Sequence, residues 1–312
     1  MELVESSNHM TVGQWREFLE QSPQANWMQS WSYARACYRR DAKRTRLFTL
    51  RHRGGPVGFF ALQEIKLGPV HVWNLPRGPL WFQAEVEESW LASFASEFSS
   101  QFSDRWWRRR RWLPEWEENG KARDILSSVG FQALPQSFET LWVDLTKPLP
   151  TLRDNLDQKW RNGLHKSERS SLDIEVDRRA MNLEHFLKRY EFHKIQKGFQ
   201  GPTSAFFQEE IQNSLQFQDA FLLWARCQGE IVAGAYFLRH GRNLSYRLGW
   251  NTERGRQLNA HYGLLWRALE VAHQLELKAF DLGGVKPIEA PGVTHFKRGL
   301  GGRPSRLLGL FR

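Results

Sequence analysis

The sequence contains few of the residues that build disulfide frameworks or metal sites. Its 312 residues include only two cysteines, Cys37 and Cys227, which lie far apart and show no metal-ligand spacing. The ten histidines form no HxH or HExxH pattern. These absences exclude a cysteine-stapled scaffold and the common zinc motifs, so we expect two reduced thiols, no metal site and a cytoplasmic protein.

Long hydrophobic runs are also absent. No apolar stretch approaches the about 18–20 residues that cross a bilayer as a helix, and residues 1–5 are acidic without the apolar core of a signal peptide. We therefore expect no transmembrane segment and no secretory leader. The 41% of apolar and 25% of charged residues are ordinary for a globular protein, and the length suits two domains of about 150 residues each.

Acidic residues are outnumbered by basic ones, 34 to 44, which gives a formal net charge of +10. Such an excess favours nucleic acid, anionic lipid head groups or polyphosphates as partners. The densest basic stretch, 105–112, interleaves arginine with tryptophan, which suits RNA because phosphates pair with Arg and bases stack on indoles. Arg108, Arg109 and Arg110 are therefore candidate RNA-binding residues. The same pattern is typical of a strand with Trp on its inner face, so both interpretations stand at this point.

The order of predicted elements occurs twice along the chain. In each half, turns separate three strands, and apolar residues at three- and four-residue spacing mark a helix that follows, before a further strand. The elements lie at 46–51, 57–64, 70–75, 85–102, 107–113, 121–129 and 138–144, and again at 219–226, 231–238, 243–248, 258–272 and 278–282. The repetition predicts an α+β fold of two similar domains, 1–147 and 148–302, joined by the proline-containing linker 146–150.

The most informative motif for function is Pro291–Gly302, in which Lys297 stands between an aromatic residue and three glycines. A glycine pair, Gly283 and Gly284, follows Asp281 at the end of a predicted strand. Glycines let the backbone approach a ligand closely, and a lysine fixed in such a loop can hold a phosphate or stabilise an oxyanion. A tight turn with a solvated lysine would have the same sequence, and Asp281 would then only brace the glycine turn.

Together these motifs resemble the Fem-type (FemABX) peptidyltransferases, which add an amino acid from aminoacyl-tRNA to the stem peptide of peptidoglycan. The resemblance runs from about Trp27 to Gly302. It includes a basic helix predicted at 152–170, which the residues alone leave as either a phosphate-binding or a solvated helix. The matching pieces are, in order, Met28-Gln29-Ser30, Pro76-Arg77-Gly78-Pro79, Gly130-Phe131, Thr140, Asp144-Leu145, Lys159-Trp160-Arg161-Asn162, Glu168-Arg169, Asp281-Leu282-Gly283-Gly284 and Phe296-Lys297-Arg298-Gly299-Leu300-Gly301-Gly302.

The resemblance implies a fold and an activity. The fold would be a tandem pair of GNAT-like (acyl-CoA N-acyltransferase type) domains with mixed β-sheets, the first completed by residues 303–312. The activity would be aminoacyl transfer from aminoacyl-tRNA, without a further cofactor. The acceptor would be an amine of a peptidoglycan precursor or another amine-bearing peptide, met in the cytoplasm or at the membrane surface.

The resemblance also implies roles for individual residues. Lys297 would lie at the reaction centre with Phe296 beside it, Asp281 would be a candidate catalytic residue, and Tyr246 would line the acceptor channel. If tRNA is the donor, the basic stretch that contains Arg108, Arg109 and Arg110 would hold it because of its charge. Further substrate contacts would come from Arg161, Gly283, Gly284, Gly299 and Gly301.

Two other functions fit parts of the sequence. An acyl-CoA-dependent N-acyltransferase of the same fold would cradle pyrophosphate on a glycine-rich turn that opens a helix, and the corresponding segment, Arg256–His261, lacks both glycines. A non-catalytic protein that binds RNA or an anionic membrane would need only the basic face.

The chain departs from the family pattern at two places. The family usually has a lysine shortly after the Gln-Ser segment, where the nearest residues here are Arg35 and Cys37. It usually has an acidic residue before the proline of the strand in the first domain, where this chain has Leu113 before Pro114.

Overall fold

A computed structural model describes residues 1–7 and 9–312. Its contacts divide the chain into two units, each with its own core. The first unit comprises residues 1–139, 240–242 and 305–312, and the second comprises residues 140–239 and 243–304. The division near residue 139 precedes the linker expected at 146–150, and the domain limits 1–147 and 148–302 remain a prediction.

The first unit contains one mixed sheet. Its elements are β1 (Glu2–Glu5), α1 (Val12–Gln21), α2 (Trp31–Asp41), β2 (Arg44–His52), β3 (Gly55–Leu67), β4 (Val70–Gly78), β5 (Leu80–Trp81), α3 (Glu88–Gln101), β6 (Arg108–Pro114) and α4 (Gly120–Ser128). The strand order is β1-β2-β3-β4-β6, and β5 pairs with β3. Strands β4 and β6 are parallel, because α3 carries the chain back across the sheet between them.

Helix α3 covers this sheet through apolar residues at helical spacing. Leu91, Phe94 and Phe98 are all buried, and the rings of Phe94 and Phe98 meet that of Phe60 on β3 edge to face. Each such side chain contributes about 1.5–3 kcal/mol by leaving water. The C-terminal residues 305–312 belong to the same core, since Phe311 is fully buried and exchanges two backbone hydrogen bonds with Trp112 on β6.

The second unit is built around a second mixed sheet. Its strands and helices are β7 (Glu139–Asp144), α5 (Leu149–Asp154), α6 (Gln158–Arg169), β8 (Leu172–Asp177), α7 (Leu183–Lys197), α8 (Ser204–Leu215), β9 (Ala220–Cys227), β10 (Glu230–His240), β11 (Asn243–Asn251), α9 (Glu253–Gln257), α10 (Ala260–Gln274), β12 (Ala279–Asp281), α11 (Pro291–Arg298) and β13 (Arg303–Arg306). The strand order is β13-β7-β12-β11-β10-β9-β8. The pair β11–β12 is parallel and is connected through α10.

The predicted α+β class and the repeated order of elements are confirmed. Each sheet holds three consecutive strands, a crossover helix and a strand parallel to the third, as β2-β3-β4-α3-β6 and β9-β10-β11-α10-β12. The pattern at 138–144, expected to close the first repeat, forms β7, which pairs antiparallel with β12. Helices α1, α2, α7, α8 and α9 and strands β1, β5, β8 and β13 were not foreseen.

Two local predictions are wrong. The helix expected over 152–170 is interrupted at 155–157, because the Asp157 side chain accepts a hydrogen bond from the Trp160 backbone N and starts α6 afresh. The motif Pro291–Gly302, expected as a glycine loop, begins as helix α11 with proline in its first turn, a position that proline tolerates. In the described part of the chain no helix is long and apolar enough to cross a membrane.

Candidate active site in the second unit

Lys297 lies in the last turn of α11, and its ammonium is buried. The residue is 8% exposed, and Nζ donates a hydrogen bond to the carbonyl oxygen of Gly284 at 2.8 Å. A lysine ammonium has three donors, and the other two N–H groups find no partner among the described residues. Burial lowers the pKa of Lys297 to about 8, while the negative charge of Asp281 opposes that shift. At pH 7 the site therefore holds a poorly solvated ammonium that can still donate two hydrogen bonds.

Asp281 supports the turn to which Lys297 is bonded. Its carboxylate is fully buried at the end of β12, and Oδ1 accepts hydrogen bonds from the Thr140 hydroxyl and, at 2.8 Å, from the Gly283 backbone N. Gly283 has a φ of +75°, and a Cβ there would lie 3.2 Å from the Tyr246 carbonyl oxygen and 3.6 Å from Lys297 Nζ. The turn therefore needs glycine at position 283, and these contacts favour the bracing role for Asp281.

Tyr246 of β11 forms the side of the site next to the ammonium. Lys297 Nζ lies 5.8 Å from the centroid of the Tyr246 ring, a distance at which a cation is attracted by the ring face. Burial raises the pKa of the Tyr246 hydroxyl, so that the phenol stays protonated. The structure thus brings Lys297, Asp281, Gly283, Gly284 and Tyr246 together.

Phe296, the neighbour of Lys297, belongs to an aromatic cluster. Its ring stacks on Trp160 of α6 with centroids 5.9 Å apart and meets Tyr262 of α10 edge to face at 4.9 Å. The indole N–H of Trp160 also donates to the Phe296 carbonyl oxygen at 3.0 Å. The start of α6 thus holds the C-terminal end of α11, which fixes the helix that carries Lys297.

His261 is a functional candidate that the sequence did not single out. A Cβ built on Gly249 would lie 2.2 Å from Tyr246 Oη and 2.7 Å from His261 Nε2, so both groups face one small space beside β11. Burial lowers the pKa of His261 to about 4, and its Nδ1 is buried without a hydrogen-bond partner in the described structure. One histidine at a helix start gives no sequence signal, since only the fold brings it to Tyr246.

Gly299 and Gly301, for which a substrate contact stays a prediction, lie close to another segment of the chain. A Cβ on Gly299 would lie 2.5 Å from Asp157 Oδ2, and one on Gly301, which has a φ of +87°, would lie 3.0 Å from the Asn155 carbonyl oxygen. Both glycines therefore permit close packing on the segment that leads into α6. Arg161 donates to the carbonyl oxygens of Asp154 and Leu156, both at 3.1 Å, and its contact with substrate stays a prediction.

The three arginines expected to bind tRNA, which all lie on β6 of the first unit, differ in exposure. Arg108 and Arg109 are exposed, whereas Arg110 is 4% exposed, with its guanidinium 3.9 Å from the centroid of the Phe131 ring. The alternation along β6 turns Arg110 and Trp112 inward, as expected of a strand with a buried face. Arg110 is therefore not part of an open basic surface.

Residues 151–298, which include the Lys297 site, match the family model described as "Acetyltransferase (GNAT) domain". A crystal structure of FemX superimposes with a TM-score of 0.83 at 15% identity, covering 100% of this chain and 96% of that one. The chain has the tandem GNAT fold of FemX. This agrees with the fold that the sequence motifs implied, and the matched domain is of the acyltransferase type.

Two further solved structures share this fold at lower similarity. One is the C-terminal domain of a putative lysylphosphatidylglycerol synthetase from Agrobacterium fabrum, with a TM-score of 0.55, 14% identity and coverage of 95% of this chain and 91% of that one. The other is a tandem GNAT protein from the clavulanic acid biosynthesis pathway, with a TM-score of 0.53, 13% identity and coverage of 99% and 97%. No curated protein matches the chain by sequence.

Proposed function

We propose that this protein is an aminoacyltransferase that moves an amino acid from aminoacyl-tRNA to an amine, with the stem peptide of a peptidoglycan precursor as acceptor. The observation that supports it is the buried ammonium of Lys297, which has two unused donors beside the Asp281 turn. The fold shared with FemX and the motif resemblance from Trp27 to Gly302 support the donor and the acceptor class.

The chemistry requires stabilisation of one developing negative charge. The acceptor amine attacks the ester carbonyl of the aminoacyl group, a C–N bond forms, and the carbonyl oxygen becomes an oxyanion before the C–O bond to the ribose breaks. The ester supplies the driving force, so that the enzyme mainly positions both substrates. An ammonium held in a water-poor site can lower the energy of the oxyanion by a few kcal/mol. Lys297 fits this role.

The proton that leaves the attacking amine must reach the departing ribose oxygen. The Asp281 carboxylate is buried and already accepts two hydrogen bonds, and His261, with a pKa of about 4, is a weak base. We infer that the proton passes directly or through water to the ribose hydroxyl, without a strong protein base. The Tyr246 phenol, which stays protonated, can donate a hydrogen bond within the same site.

Acyl transfer from acyl-CoA is the second candidate. The GNAT family match over 151–298 favours it. The segment before α10 argues against it: Asn259 adopts a φ of +55° and Ala260 follows, so that a pyrophosphate would meet side chains where a glycine turn would leave space.

The deciding experiment supplies both donors to the same acceptors. The protein would be incubated with charged tRNAs carrying a radiolabelled amino acid, or with labelled acetyl-CoA, together with peptidoglycan precursor peptides and simple amines. Label moving from tRNA to a peptide amine supports the proposal. Label moving only from acetyl-CoA would contradict it and select the second candidate, and no transfer from either donor would contradict both.

A further inference from the structure

A cavity in the first unit is lined by four arginines. It has a volume of about 370 Å³ and is bordered by Arg105, Arg109, Arg110 and Arg312, with Asp104, Trp106, Gly130 and Gln132 completing the wall. One carboxylate faces four guanidinium groups, and its ion pair with Arg109 is long, at 3.7 Å. The lining therefore carries an excess of positive charge in a concave site, the arrangement that concentrates anions.

Arg110 is a buried cation in the wall of this cavity, and its guanidinium makes few hydrogen bonds. Its guanidinium rests on the Phe131 ring, and its Nη1 makes one long hydrogen bond, 3.4 Å, to the Phe102 carbonyl oxygen. Its Nε is buried without any hydrogen-bond partner in the described residues. A buried cation is strongly unfavourable unless it is paired. An anion held in the cavity would offset the charge of Arg110.

The rim of the cavity adds a flat apolar surface. Backbone hydrogen bonds between Arg105 and Arg108 close a tight turn, and this turn presents Trp106 with 73% of its surface exposed. An exposed indole next to a cluster of guanidinium groups suits a ligand that has a phosphate and an aromatic base. Arg312 is held at the opposite side by two hydrogen bonds to Gln132 Oε1, at 3.0 and 2.7 Å.

We propose that this cavity is a binding site for the phosphodiester backbone of an RNA strand, with a base stacked on Trp106. The identification of that RNA as the tRNA donor rests on the proposed function, whereas the cavity and its charge do not. The arginines of this site are not the same set as those of the basic stretch 105–112. Arg108 and Arg111 lie outside it, and Arg312, which is distant in sequence, lies within it.

The test compares two double variants that lose the same charge. Arg105→Ala/Arg109→Ala removes two exposed arginines that line the cavity, and Arg108→Ala/Arg111→Ala removes two exposed arginines of the same segment that do not. Fluorescence anisotropy with a labelled, uncharged single-stranded oligoribonucleotide at fixed salt would measure affinity. We expect the first variant to bind about 10-fold or more weakly than the second, and Trp106→Ala to lose about 10-fold. Melting temperatures would show that all three variants are folded.

Equal losses in both double variants would overturn the proposal, because binding would then follow net charge alone. Absence of RNA binding would overturn it as well, and so would cavity-dependent binding of phosphatidylglycerol vesicles without binding of RNA. Inorganic phosphate that competes with RNA in the wild type, but not for the residual binding of Arg105→Ala/Arg109→Ala, would support it. The RNA carries no amino acid and no acceptor is present, so a negative transfer assay leaves this result intact.

Discussion

At the scale of single residues, burial has two opposite consequences for the ammonium of Lys297. Its burial disfavours the charged form, which is visible as a pKa lowered to about 8. The same burial makes the ammonium effective toward an oxyanion, because water does not screen it. A catalytic lysine of this kind is expected to lower stability and raise activity together.

The first prediction concerns Lys297→Met. We expect single-turnover aminoacyl transfer to fall by about 10²–10³-fold, the effect of losing one oxyanion donor, while the fold is kept. Lys286→Met is the matched control, since Lys286 is in the same unit and its exposed side chain pairs only with exposed Glu289. Transfer rates and melting temperatures would be measured for both. Wild-type turnover in Lys297→Met would sink the catalytic assignment.

The second prediction concerns pH. Between the folded pKa of Lys297, about 8, and the ordinary lysine pKa of 10.5, the unfolded chain holds a proton that the folded protein has released. The contribution of Lys297 to the free energy of unfolding therefore rises with pH across this window, by a few kcal/mol at most. Lys297→Met should lack this rise and should be the more stable protein at pH 7. Transfer by the wild type should fall as pH rises through about 8.

Chemical denaturation of both proteins at intervals from pH 7 to pH 10.5 checks this, because the other titrating groups cancel in the difference. Parallel stability curves for the two proteins would show that Lys297 keeps an ordinary pKa when folded.

At the scale of elements, the start of α6 holds the end of α11. The Asp157 backbone N donates to the Gly299 carbonyl oxygen at 3.0 Å, and the Trp160 indole donates to the Phe296 carbonyl oxygen at 3.0 Å. Two motifs about 140 residues apart in the sequence thus pack against each other. This packing fixes the helix that carries Lys297.

The third prediction follows from this packing. Gly299→Ala puts a Cβ 2.5 Å from Asp157 Oδ2 and 3.0 Å from Trp160 Cδ1. Since Asp157 is fixed as the N-cap of α6, relief requires a shift of α11, at a cost of about 1–3 kcal/mol. Gly292→Ala is the control, as nothing lies within 4 Å of its Cβ. We expect lower stability and slower transfer for Gly299→Ala only. Similar denaturation midpoints for the two variants would contradict the tight packing of α11 on the start of α6.

At the scale of the whole molecule, the basic excess is the property that acts at a distance. A net charge of +10 should draw a polyanion to the protein before any specific contact forms. Few of the charged side chains lie in the buried core. Most arginines of the 105–112 stretch are exposed, and Arg110 alone turns inward.

The fourth prediction is the salt dependence of tRNA binding. The logarithm of the affinity should fall linearly with the logarithm of salt concentration, because each neutralised phosphate releases counterions, with a slope of about −0.7 to −0.9 per contact. Equilibrium binding of uncharged tRNA over a range of salt concentrations would measure the slope. Binding that does not change with salt, or no binding at low ionic strength, would favour a donor other than tRNA.

The architecture and the central residue of the candidate site could be predicted from local sequence patterns. Strand alternation and helical spacing are local patterns, so β9, β10, β11 and α10 could be predicted close to their observed limits. Their repetition gave the tandem order. Lys297 and the Asp281 turn could be named because their residue types are unusual together.

The contacts of these residues could not be predicted in the same way, because they join distant parts of the chain. Gly299 packs on Asp157, His261 and Tyr246 both approach Gly249, and Arg77 forms a buried ion pair with Glu115, 2.7 Å from Nε to Oε2. These pairs are separated by 15 to 142 residues along the chain, and no period or spacing encodes them. The inward turn of Arg110 has the same origin, because alternation shows that one face of β6 is buried but not that a guanidinium lies on it. Contacts between distant segments depend on how helices and sheets pack, and packing is a property of the whole fold.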